Sequence, residues 1–125
     1  MLKNKTDIES LISAGFAAPW WKDGREKNCA YCGVMMRQRG QMQVPTKATA
    51  DHIIPLCEAG PAITIPSCRS CNEAKGAQSL PAFLQSDHFK KIRLKKHGKA
   101  WLEHELWAVH SVASLRKTYE LMSKL

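Results

Sequence analysis

No run of 18 apolar residues occurs in this chain, which excludes a transmembrane helix. The stretch from Met1 to Asp7 is polar and has no hydrophobic core of the kind a secretory signal needs, so no such signal is expected. Acidic residues are scarce: 11 Asp and Glu against 19 Lys and Arg give a formal charge of +8. That imbalance says nothing about fold, but it favours a polyanion as partner. Internal repeats and low-complexity linkers are also missing. What is present is a chain of 125 residues, 44% of them hydrophobic, which is too apolar for a disordered basic tail. Its length suits one compact domain burying roughly two-thirds of its unfolded surface. The expectation is a small, basic, cytoplasmic protein.

Five cysteines form an odd set, and in an intracellular chain a disulfide framework is not expected. Their spacing says more than their number. Cys29 and Cys32 make one C-x-x-C pair, Cys68 and Cys71 make another, and Cys57 stands alone as a small buried or partly exposed side chain. Two such pairs can build one tetrahedral thiolate site for zinc, each supplying a knuckle around a structural insert. Two unrelated reduced pairs, or a thioredoxin-like redox pair, are the alternatives, although no βαβ pattern surrounds either pair.

Thr6 with Glu9 is a capping-box pattern that opens an N-terminal helix striped by Ile8, Leu11 and Ile12, with Gly15 to end it. Residues 16–28 read as a loop with Trp20 and Trp21 packed under it. From Met42 to Asp51 the chain alternates in the manner of a strand, and Pro45 makes its early half an edge. Ile63-Thr64-Ile65 is a second apolar run able to pair with the first. A short helix then begins at the second knuckle and stops at Gly76; Ser79 caps a helix with Pro81 in its first turn. Three- and four-residue spacings from Trp101 to Met122 predict a long helix over 99–125.

The residues able to do chemistry gather around the knuckles. Asp51 and His52 end the first strand, where both can reach one cleft. A carboxylate suits a hard cation such as Mg²⁺, Asn72 offers a second oxygen, and an imidazole such as that of His52 is the side chain most used to take a proton from water. In order, C-x-x-C, then Asp51-His52-Ile53-Ile54-Pro55-Leu56, then Cys68-Arg69-Ser70-Cys71-Asn72-Glu73-Ala74-Lys75-Gly76, the chain resembles the HNH endonuclease family over residues 29–76. The resemblance implies an α+β fold, a ββα-metal (His-Me finger) core stapled by zinc and flanked by helices. It implies His52 as general base, Asp51 and Asn72 as Mg²⁺ ligands (Mn²⁺, Co²⁺ or Ni²⁺ able to substitute), and Cys29, Cys32, Cys68 and Cys71 as structural zinc ligands. It further implies a bacterial or phage-encoded metal-dependent nuclease acting on double-stranded DNA. One position departs from the pattern: Ile63 stands where the family usually has an Asn that ties down the loop orienting the histidine. The alternative that follows is a zinc-stapled nucleic-acid-binding module without cleavage.

Beyond the motif, the segment 87–99 carries six Lys or Arg against one Asp. Lys90, Lys91, Arg93, Lys95 and Lys96 are the candidate phosphate contacts there, with Arg69 and Lys75 nearer the motif. His88, His97, His104 and His110 read as surface or packing residues, and the four tryptophans as core. Dimerisation through the long terminal helix is left open.

Overall fold

The computed structural model describes residues 25–38, 44–54, 63–95 and 98–125. The expected N-terminal helix, Trp20, Trp21, Met42, Cys57 and Lys96 lie outside them. Two strands, β1 (Ala48–His52) and β2 (Thr64–Cys68), pair antiparallel in a register that sets Asp51 opposite Ile65 and His52 opposite Thr64. β1 begins later than the alternation suggested. Val44 to Lys47 form a turn instead, closed by Lys47 N–H donating to Val44 O at 3.0 Å. Pro66 is tolerated in β2 because its carbonyl serves the other edge, accepting from Ala30 N–H at 2.9 Å.

Four helices follow: α1 (Arg69–Lys75), α2 (Leu80–Leu84), α3 (Asp87–Leu94) and α4 (Glu103–Met122). The molecule is thus a small α+β structure with one two-stranded sheet among the described residues. Local chemistry explains the helix ends. Ser79 Oγ accepts from Ala82 N–H and Ser86 Oγ from Phe89 N–H, which satisfies donors that a helix start leaves open. α4 starts four residues later than predicted because Trp101 N–H is spent on Ala30 O at 2.8 Å. Glu105 then turns back to accept from Leu102 N–H at 3.0 Å.

The core lies where the hairpin, the first knuckle and the helices meet. Tyr31, Phe83 and Phe89 contact one another edge to face, with centroids 4.8 to 6.5 Å apart. Trp101 is fully buried, as expected for a core tryptophan. Trp107 is not; it is 40% exposed. The inward stripe of α4 is Leu106, Val109 and Ala113, and Trp107 is one helical step away from it. Among the described residues, no helix is long and apolar enough to cross a membrane.

Candidate functional site

The first knuckle is built by short-range hydrogen bonds. Cys29 N–H donates to Val34 O and Gly33 N–H to Cys29 O, while Gly33 takes a φ of 80° that a side chain would resist. Asn28 Nδ2 closes the turn by donating to Gly33 O. The second knuckle sits at the junction of β2 and α1, where Cys68 caps the helix and accepts from Cys71 N–H at 3.4 Å. Pairing of Ala30 with Pro66 carries one knuckle to the other.

The four sulfurs of Cys29, Cys32, Cys68 and Cys71 all lie within 4.8 Å of one another. Those of Cys32 and Cys68 are 3.8 Å apart. A tetrahedron with metal–sulfur bonds of ~2.3 Å has edges of ~3.8 Å, so the spacing fits a metal, whereas a disulfide would need ~2.05 Å. The cysteines are free thiols, and one cluster replaces the alternative of two unrelated pairs. Their charges point the same way. Hydrogen bonds within the cluster push Cys29 strongly down, with Cys32 as the first partner, and lower Cys32 as well, while the hydrogen bonds with Cys29 first of all push Cys68 and Cys71 up. The cluster can hold a structural metal such as zinc.

Asp51 and His52 part company at the end of β1. Asp51 turns inward and is 3% exposed, while His52 is half-buried. Tyr31 Oη donates to Asp51 Oδ2 at 2.5 Å, and Lys75 Nζ lies 3.3 Å from Asp51 Oδ1. Burial raises the Asp51 pKa from the usual carboxylate range, with the Lys75 charge opposing it. Burial, followed by the charge of Asp51, likewise raises the Tyr31 phenol well above its ordinary value. Asn72, on α1, donates through Nδ2 to Thr49 Oγ1 at 3.0 Å, fastening the helix to the strand that carries Asp51. Its Oδ1 is the oxygen the amide has to offer a ligand.

Several expected phosphate contacts find other employment. Lys75 is 1% exposed, and its ammonium is spent on Asp51 and on His52 O at 3.1 Å, so it is not a surface contact. Arg93 is half-buried and donates to Trp101 O at 2.7 Å and Ala30 O at 3.4 Å, with its guanidinium over Phe89. That makes it a packing residue, and burial lowers its pKa. Arg69 pairs with Glu73 at 2.7 Å. Lys90, Lys91 and Lys95 are exposed.

Two residues escaped the sequence reading in these roles: Tyr31, which it did not single out, and Lys75, taken as a phosphate contact. The signal for both was Asp51 itself. An acid at an inward strand position needs a buried donor and a counter-charge. Comparison of the chain with protein-family models, with curated proteins and with solved structures finds no match.

Proposed function

We propose that this chain is a metal-dependent DNA endonuclease of the HNH type, hydrolysing phosphodiester bonds with His52 as general base. The observation that carries this reading is the place of the cysteine cluster. Its two halves bracket the hairpin whose first strand ends in Asp51-His52, and the second half begins the helix that bears Asn72. In this reading zinc is the stapling ion, and a ββα-metal core is the frame.

Asp51 and Asn72 are the residues that would hold the working cation, Mg²⁺ or, in its place, Mn²⁺, Co²⁺ or Ni²⁺. A carboxylate and an amide oxygen are the donor types a hard cation takes, and a cation there would share Asp51, 3% exposed, with the Lys75 ammonium 3.3 Å away. When bound, the cation supplies stabilisation of the charge that develops on the scissile phosphate and the leaving oxygen. His52 takes the proton of an in-line water, which attacks phosphorus and leaves a 5′ phosphate and a 3′ hydroxyl. Lys90, Lys91 and Lys95 lie exposed on and after α3, where cations can track the DNA backbone.

The second reading, a binding module without cleavage, draws on Ile63. That side chain is 4% exposed among apolar neighbours and cannot tie down a loop by hydrogen bonding. One experiment separates the two. Purified protein is incubated with supercoiled plasmid and Mg²⁺, and nicking by wild type is compared with that by His52→Ala. Loss of a general base lowers the rate by about 10² to 10⁴-fold. Equal rates for the two proteins, with DNA binding retained, would leave the binding module as the function.

A further inference from the structure

Lys75 is a buried cation with two partners, and both belong to the Asp51-His52 step. Its ammonium donates to the main-chain oxygen of His52 at 3.1 Å and pairs with Asp51 Oδ1 at 3.3 Å, at 1% exposure. Asp51 is braced on its other oxygen by Tyr31, a residue of the first knuckle. Position 63, where an Asn side chain would be expected to hold the histidine loop, offers an apolar side chain. Its backbone oxygen does accept from Ile53 N–H at 3.0 Å. The chain on the far side of His52 is therefore fixed by a sheet-type bond, and His52 itself is held by Lys75.

We propose that Lys75, anchored by Asp51, is the positioning residue for His52 and fills the place of the loop-tying Asn that this chain lacks. The inference rests on the nuclease reading for its kinetic consequence, not for its geometry. An ammonium has three donors and no acceptor, so it can hold a carbonyl and a carboxylate at once. A hydrogen bond from a charged donor is stronger than a neutral one, more so away from water. Fixing the His52 carbonyl fixes the peptide plane from which its side chain departs, and the residue is only half-buried. Lys75 also closes a circuit. It stands on α1 four residues after Cys71, and Tyr31 stands between Cys29 and Cys32, so both knuckles reach the Asp51-His52 step, the first through Asp51 and the second through both residues. Lys75 touches no substrate; it acts through His52.

The test compares wild type with Lys75→Met, which keeps the length and apolar stem but has no donor, and with Lys75→Arg, which keeps charge and donors. Metal content and the amide NMR spectrum report whether each variant is folded. The side-chain imidazole resonances of His52 are read without DNA, and kcat and KM for a linear duplex are read with Mg²⁺. The expected result for Lys75→Met is shifted, broadened His52 resonances and a kcat about 10²-fold lower, with KM within about threefold of wild type. Lys75→Arg should recover part of both. Unchanged resonances and kcat in a folded Lys75→Met protein would overturn the proposal. So would a raised KM with unchanged kcat, which is the mark of a phosphate contact. Should Lys75→Met not fold, Lys75→Gln, shorter and uncharged, takes its place, and His52 resonances and kcat identical to wild type count against positioning. Should wild type not nick DNA at all, the nuclease reading fails. The resonances alone then decide whether Lys75 orders His52.

Discussion

Arg25 and Glu105 lie far apart in sequence and meet fork to fork, with Nη1 donating to Oε2 at 2.7 Å and Nη2 to Oε1 at 3.0 Å. The same carboxylate accepts from Leu102 N–H at the start of α4, and Arg25 also lies over the Trp101 ring at 4.8 Å. The hydrogen bonds from Arg25 bring the Glu105 pKa down to about 2, from an ordinary value of 4.5. A carboxylate depressed by folding contributes stability above its unfolded pKa and loses it as pH falls towards its folded one. Glu105→Gln should therefore cost about 1 kcal/mol at pH 7, a modest figure because both side chains are partly exposed to water. The difference from wild type should fade between about pH 4.5 and pH 2, as followed by urea titration at each pH. A difference that grows on acidification would contradict this assignment. Asp51 behaves in the opposite sense, since burial raises its pKa. Its contribution is fullest at low pH and declines as pH rises through the raised value. Charge type was legible in the sequence and charge direction was not. Lys75 and Arg93 look like surface cations in a basic protein until the inward turn of Asp51 and the open carbonyls of Ala30 and Trp101 give them buried partners.

The end of α1 and the start of α2 were the most readable features, because residues at those points decide them. Ser79 and Pro81 place the start of α2, and Gly76 the end of α1, through chemistry local to those residues. Gly76 adopts φ 54° and ψ −132°, a region nearly closed to other residues, and there its N–H reaches Asn72 O at 2.9 Å. A Cβ at this position would meet nothing closer than Glu73 O at 3.7 Å, so backbone strain and not crowding sets the cost of a substitution. Gly76→Ala should lower stability by about 2 kcal/mol in chemical denaturation, while cysteine-bound metal content is unchanged. A neutral effect would show that the turn relaxes without penalty. Strand limits were less readable. Alternation from Met42 onward suggested an early start for β1, yet Pro45 and the Val44–Lys47 turn lie before it. Those residues serve a different partner, Pro45 O accepting from Ser70 N–H at 2.9 Å in α1, which no local pattern announces.

At the scale of the whole molecule, the cysteine cluster joins the first knuckle, the hairpin and α1 at one edge of the core. A two-stranded sheet is marginal alone, and the helix joined to β2 has seven residues. A structural metal in a site of this kind contributes on the order of 10 kcal/mol of folding free energy. Stripping the metal with a strong chelator should therefore unfold the hairpin and α1 together. Loss of amide NMR dispersion and of the buried Trp101 fluorescence signature would report it, and a native spectrum in metal-free protein would refute the staple. The cluster could be read from spacing alone; its neighbours could not, since Tyr31 and Lys75 find Asp51 only after the knuckles bring them near. Ala30 shows how far such dependence runs. Its N–H is taken by Pro66 and its oxygen by Trp101 and Arg93, so the first knuckle is finished by segments made much later. On a ribosome adding about 5 to 20 residues per second, roughly 70 residues separate Ala30 from Trp101, a lag of about 4 to 14 seconds. During that interval Cys29 and Cys32 travel as an incomplete half-site, and the nascent chain acquires its native shape only as its last third emerges.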